Sequence, residues 1–234
     1  MSTVLPAQPP GAWPMYRALV GISMLCGLLI VFVFQGTFPI IERNRAEALE
    51  RAVFAVLPKA SGRVTFALDA DGRFQPTEES TGERVHAAID ESGTLVGVAV
   101  EARGMGYADT ITLLYGYDPA NQAIVGIQVL ASKETPGLGD KIETDPRFLA
   151  NFEALDVRLD DTGTAPRHII ETVKQGKKTD PWQIDGITGA TISSVAIGDI
   201  LAASSSRWVP LIARRLGDFE AGVVDKAGGI DEGS

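Results

Sequence analysis

The sequence predicts an α+β fold: a soluble domain with an antiparallel sheet and flanking helices, carried behind a single N-terminal transmembrane helix. Three observations predict it. Residues 18–34 are apolar and uncharged, and residues 35–41 extend this stretch to the roughly 20 residues that cross a bilayer as a helix. Between residues 63 and 130, short β-rich runs alternate with tight-turn sequences. After Ser193 a long helical segment follows. A chain of 234 residues, 45% hydrophobic and 22% charged, has room for one packed domain and a modest extra element.

Taken in order, residues 1–16 are a short Pro-rich tail and 17–41 the membrane helix. A cleaved signal peptide is the competing reading of this segment. The run is longer than a usual signal core, and no small-x-small cleavage site follows it. A lipoprotein anchor at Cys26 is weaker, because Leu25 precedes that cysteine. Residues 42–62 are expected as a helical stalk: Ala46, Leu49, Val53 and Val56 recur at helical spacing, and Pro58 ends the helix. Residues 63–218 are the domain and 219–234 a C-terminal tail. Strands are expected over 85–89, 94–100, 110–117 and 123–130. They are separated by Asp90-Glu91-Ser92-Gly93 and Asp118-Pro119-Ala120-Asn121, connections short enough for an antiparallel meander. Asp145-Pro146 reads as the N-cap and first residue of a short helix through Phe152. Residues 157–159 and 168–173 are further candidate strands. The last helix is expected from about Ser193 toward Leu216, bent or ended by Pro210.

Charge and composition exclude several functions. Residues 1–41 carry one basic residue, Arg17, and no acid, so the rest carries 20 basic against 30 acidic side chains. Such an acidic domain repels phosphate backbones, and no basic stripe supports nucleic-acid binding. One cysteine, Cys26, permits no internal disulfide and no cysteine-held cluster within the chain. His86 and His168 lie far apart, which argues against zinc. Arg43, Arg45 and Arg51 follow the span against Arg17 before it, so a plain positive-inside count places the domain in the cytoplasm. That count has limited force for long translocated domains.

Two segments carry chemistry. In Asp185-Gly186-Ile187-Thr188-Gly189-Ala190-Thr191, small residues make a turn that presents a hydroxyl just ahead of a helix. A helix start offers unpaired N–H groups and a favourable dipole to phosphate oxygens. The alternative is that Thr191, Ser193 or Ser194 merely caps the helix. The second segment is Lys133-Glu134-Thr135-Pro136-Gly137-Leu138-Gly139-Asp140-Lys141, whose glycines let backbone N–H groups approach a planar ligand. A plain surface loop is the alternative there. Trp182 is either core or a shield for such a ligand. Lys177-Lys178 reads as a solvated turn or a phosphate contact, and His168 as a surface or core residue.

Asp-x-x-(Ser/Thr)-Gly-Ala-Thr is the motif read by flavin transferases, and residues 185–191 match every specified position. With Tyr107-Ala108-Asp109-Thr110-Ile111, Gly116-Tyr117-Asp118 and the 133–141 segment, the chain resembles the FMN-binding domain family. Its members include the G subunit of the Rnf electron-transport complex and the C subunit of the sodium-pumping NADH:quinone reductase. The resemblance spans the chain from the anchor through the final helix and is closest to the Rnf G subunits. It implies FMN bound through a phosphoester to Thr191, made from FAD by a separate magnesium-dependent transferase that reads Asp185, Thr188, Gly189, Ala190 and Thr191. Glu134, Thr135, Gly137, Leu138, Gly139, Lys141, Trp182, Thr188, Gly189 and Ala190 would contact the cofactor, with Glu134 either orienting its loop or bonding the flavin. The resemblance further implies an electron relay between ferredoxin and NAD coupled to sodium or proton movement, with other membrane and peripheral subunits as partners. It also places the flavin domain on the periplasmic side of a bacterial inner membrane, against the charge count. Relay requires no proton-transfer base, and no catalytic residue is assigned. The competing functions are a free-standing anchored flavoprotein reductase and an anchored sensor or assembly module without covalent flavin.

Overall fold

The computed structural model describes residues 12–77 and 82–228. The chain divides into two units, 1–47 and 48–234. In the first, helix α1 (Trp13–Val56) begins four residues before the expected membrane boundary. Its apolar side chains from Leu19 to Ile41 are exposed on every side, as expected for a surface that faces lipid. Pro39 lies inside it without ending the helix.

In the second unit, β1 (Gly62–Leu68), β2 (Phe74–Pro76), β3 (Arg84–Ile89), β4 (Leu95–Met105), β5 (Thr110–Asp118), β6 (Ala123–Ala131) and β7 (Leu155–Asp156) form one antiparallel sheet in the order β2-β1-β3-β4-β5-β6-β7. The expected meander is therefore β3 to β6, and the Asp90 and Asp118 carboxylates close its turns by accepting N–H bonds from Ser92 and Ala120. Alternation along β5 is masked because both faces are covered. Ile111, Leu113, Tyr115 and Tyr117 face the core under α4 (Thr191–Arg214) and α5 (Leu216–Gly228), while Leu114 faces the last turns of α1.

Those last turns are core and not an independent stalk: Ala52, Val53, Val56 and Leu57 are buried against Ala88, Ala99 and Leu114. They sink into a depression made by Gly97, Gly116 and Gly126 on three adjacent strands. A Cβ at Gly116 would stand 2.6 Å from the Val56 carbonyl oxygen and 3.0 Å from Leu57 Cγ. Gly116→Ala is expected to destabilise the chain by about 1–3 kcal/mol through overpacking against backbone, read by thermal unfolding of the full chain in detergent.

Four expectations are corrected. The strand expected over 157–159 is instead β7 at Leu155–Asp156, with only a single bridge from Leu159 to Pro166. The strand over 168–173 is reduced to β8 (Glu171–Val173), which pairs in parallel with β9 (Gln183–Asp185). Pro210 does not end α4, because burial of Trp208, Val209 and Ile212 holds the helix across the missing N–H. The expected tail from 219 is a helix: Phe219 is fully buried, 4.9 Å from the Phe66 ring and 4.6 Å from Phe74. Residues 1–11 of the expected N-terminal tail and 229–234 of the C-terminal one lie outside the described residues. Asp145 does cap the short helix α3 (Pro146–Leu149), accepting from the N–H groups of Arg147 and Phe148.

Candidate functional site

Helix α4 starts at Thr191, and the residue in its N-cap position is Ala190, which has no side chain able to cap. Ser194 is buried and turned backward, accepting from Ile187 N–H at 3.1 Å and donating to the Ala190 carbonyl at 2.9 Å. Ser193 is also buried and donates to Glu134. Thr188, Gly189 and Thr191 are exposed. Gly189 has φ +87°, a left-handed conformation that carries the chain into the helix without strain. The three hydroxyls that sequence reasoning offered as caps thus separate: both serines are turned inward, and Thr191 stands outward on an uncapped helix start.

Glu134 joins three segments. Its carboxylate accepts the Ala108 N–H at 3.0 Å and the Ser193 hydroxyl, and only 6% of the residue is exposed. Gly106 and Gly139 pack against it so closely that a Cβ at either would meet a Glu134 oxygen at 2.5–2.7 Å. Of the two roles open to Glu134, this geometry favours orienting the loop. The salt bridge from Lys133 to Asp109 (2.5 Å) ties the same loop to the β4–β5 turn, and it holds the Asp109 carboxyl below its usual range. Removing the Glu134 acceptor orphans one buried donor, the Ser193 hydroxyl, and frees the Ala108 N–H of an exposed turn to solvent, so Glu134→Ala is expected to cost about 1–3 kcal/mol, measured by thermal unfolding of the full chain. Glu134→Gln, which keeps one acceptor oxygen, is expected to recover at least half of that.

The loop itself corrects one expectation. Its N–H groups at Leu138 and Gly139 do not point outward to a planar ligand; they donate to the Thr135 carbonyl at 3.1 and 3.0 Å. A carbonyl inside a tight turn is their nearest acceptor, and Gly139 is there because Glu134 leaves no room for a side chain. What the loop presents is the side chain of Leu138, half exposed, together with exposed Thr135 and Gly137. Tyr107 on the β4–β5 turn and Ile192 beside Thr191 are also exposed apolar side chains. The Glu134 bonds to Ala108 and Ser193 gather the segments carrying Tyr107, Leu138 and Ile192 around one junction. Lys141 is half-buried at the start of helix α2 (Lys141–Thr144).

Trp182 is placed differently: its indole stacks on the His168 imidazole, ring centres 3.8 Å apart and planes 10° apart. Asp185 is also engaged, its carboxylate accepting from the N–H groups of Gly176 (2.6 Å) and Lys177 (3.3 Å). Lys178 donates to Asn151 Oδ1 at 3.2 Å, and partial burial pulls its ammonium below the ordinary lysine value despite the Asp185 charge. Asn151 was missed by sequence reasoning, because a lone Asn after a short helix carries no pattern.

The site fits a phosphate-linked planar group. The first N–H groups of a helix have no partner within it, the positive end of the 24-residue α4 favours an anion, and no acidic residue stands in its first turn to compete. Exposed apolar side chains stand on the segments that Glu134 ties together, the kind of surface an aromatic ring system requires.

Comparison with known proteins agrees with this. Residues 106–204 match the FMN-binding domain model, a span that contains both the Glu134 loop and Thr191. In solved structures the fold is similar to NqrC of Shewanella oneidensis (TM-score 0.52, 20% identity, covering 79% of this chain and 99% of that one). It is also similar to the C subunit of the Na(+)-translocating NADH-quinone reductase of Parabacteroides distasonis (TM-score 0.55, 19% identity, 72% and 94%). In sequence, the chain is 30% identical over 184 residues to the G subunit of the ion-translocating oxidoreductase complex of Cereibacter sphaeroides, covering 76% of each. It is 31% identical over 193 residues to the G subunit of the complex of the same name in Methanosarcina acetivorans, covering 78% of this chain and 87% of that one. With most of a relative's length matched at this identity, the chain belongs to the family of G subunits of ion-translocating oxidoreductase complexes.

Proposed function

We propose that this chain is an electron-transfer subunit of a membrane-bound, ion-translocating redox complex of the Rnf type. It holds FMN through a phosphoester to Thr191 and works between ferredoxin and NAD. The observation that carries this reading is the start of α4, where Thr191 is exposed and no side chain caps the helix. The domain match to FMN-binding proteins and the kinship with the G subunits support it. When bound, FMN supplies reversible one- and two-electron chemistry.

This chain's own residues do the holding. In attachment, the Thr191 hydroxyl oxygen forms a bond to the FMN phosphorus of FAD as the pyrophosphate bond breaks; AMP leaves and the hydroxyl proton is released. The reaction needs FAD, magnesium and the transferase, and it is redox-neutral. The first-turn N–H groups of α4, with the exposed Thr188 hydroxyl and Gly189, would receive the phosphate, while the Ala190 N–H is held by the Ile187 carbonyl at 3.1 Å and Ala190 only leaves room. Leu138, Tyr107 and Ile192 offer apolar surface to the ring system, while Glu134 keeps their segments in register. A covalent link prevents loss of the cofactor outside the cytoplasm, which fits a relay better than a diffusing carrier.

Helix α1 anchors the domain, and we place the flavin domain on the periplasmic side of the cytoplasmic membrane. Cys26 is the only native cysteine and lies in the apolar segment, so a cysteine introduced on the exposed turn at Ser92 reports the side directly. Labelling by an impermeant reagent in intact spheroplasts is expected; labelling only after lysis reverses the orientation. The function is tested by co-expression with a flavin transferase. A fluorescent band on a denaturing gel, and recovery of membrane partner subunits with the chain, are expected. A chain that takes flavin but purifies alone and reduces a substrate by itself supports a free-standing reductase instead.

A further inference from the structure

The acceptor loop, residues 185–190, is held by side chains that lie outside the Asp-x-x-Thr-Gly-Ala-Thr motif. Asn151, 6% exposed on the 3₁₀ turn Ala150–Phe152, grips the backbone of Asp185 from both sides. Its Oδ1 accepts the Asp185 N–H at 3.0 Å, and its Nδ2 donates to the Asp185 carbonyl at 3.2 Å. The next N–H, of Gly186, donates to the Val173 carbonyl at 2.9 Å. Ile187 N–H donates to Ser194 Oγ, which in turn donates to the Ala190 carbonyl, closing the loop onto α4. Thr188 N–H donates to Gln175 Oε1 at 3.1 Å. Gln175 sits on the turn that the Asp185 carboxylate fixes through Gly176 and Lys177. Asp185, expected as a residue read from outside, is therefore also part of the internal frame.

We propose that Asn151, Gln175 and Ser194 are positioning residues that hold the acceptor loop in one conformation and so give Thr191 a fixed place and direction. The inference rests on the reading of Thr191 as the attachment point. A group tied through a phosphoester keeps its own rotatable bonds, and a loose anchor would add the loop's freedom to theirs. Electron transfer depends steeply on distance, so a relay gains from an anchor that does not move. Successive N–H groups bonded to buried or fixed acceptors provide such an anchor.

Hydrogen exchange on the unmodified full chain in detergent tests the frame, and fluorescence anisotropy of the attached flavin tests its consequence. Gln175 is exposed, so its variants are expected to fold. Gln175→Leu removes the acceptor of the Thr188 N–H and is expected to speed exchange over residues 185–191 by roughly three- to tenfold. Gln175→Glu keeps that acceptor and is expected to exchange as the wild type does. At equal extent of attachment, flavin anisotropy is expected to fall in Gln175→Leu and further in Asn151→Leu, and to be unchanged in Gln175→Glu. Wild-type exchange and anisotropy in Gln175→Leu would overturn the proposal. Exchange needs no flavin, so the expected exchange pattern on a chain that never takes flavin would uphold the loop frame and overturn Thr191 as acceptor.

Discussion

Thr191→Ala is expected to abolish covalent flavin completely while changing stability by no more than about 0.5 kcal/mol. Both halves of that expectation come from the same geometry. The side chain is exposed, it occupies the first helical position and not the N-cap, and the capping position is already an alanine. A threonine that served as cap would lose about 1 kcal/mol on truncation. A threonine kept for its free hydroxyl would lose only the bond it forms. The comparison of in-gel flavin fluorescence with thermal unfolding of the same preparation therefore separates the two roles. Loss of fluorescence with unchanged stability assigns attachment, and retained fluorescence with lowered stability assigns capping.

The largest expected loss of stability is that of Phe219→Ala, about 3–5 kcal/mol. Phe219 is fully buried, packs edge-on to Phe66 and lies against Phe74, which in turn neighbours Trp208 of α4. Asp218 beside it accepts the Phe74 N–H at 3.1 Å, so α5 is joined to β2 by a hydrogen bond as well as by the aromatic cluster. For a domain of this size the melting temperature should fall by roughly 10 °C, read by near-ultraviolet circular dichroism of the full chain. Glu220→Ala, one residue further on an exposed face, should stay within about 0.5 kcal/mol of the wild type. If Phe219→Ala behaves like Glu220→Ala, α5 does not belong to the core.

Local signals in the sequence carried much of the fold. The apolar run before Glu42, the Asp90 and Asp118 turns of the meander and the Asp145-Pro146 helix start each depend on neighbouring residues, and each appears in the structure. The turn and helix start around Thr191 are legible for the same reason, because the small residues and the helix that follows them are contiguous. What escaped depends on partners far along the chain. Gly97, Gly116 and Gly126 look like ordinary strand glycines until α1 is laid across them. The three-residue strands β8 and β9 are too short to show a period, and their parallel pairing spans a loop. The buried residues of α5, Phe219 among them, pack on Phe66 and Phe74 of β1 and β2, far back in the chain, so nothing next to them in sequence marks the helix as core. Asn151 and Gln175 carry no local signature, since their partners at Asp185 and Thr188 lie 34 and 13 residues away. The acceptor of the Leu138 and Gly139 N–H groups, the Thr135 carbonyl, is hidden for a related reason: composition shows that glycines permit close approach, but not which acceptor is nearest.

The most direct test of the account is the mass of one peptide. Trypsin releases residues 179–207 intact, because no Lys or Arg lies between Lys178 and Arg207. From a chain matured with a flavin transferase, that peptide should gain the mass of one FMN less one water, with fragmentation placing the added group on Thr191 and not on Thr179 or Thr188. An unmodified peptide from such a preparation, or the group on another residue, would contradict the assignment.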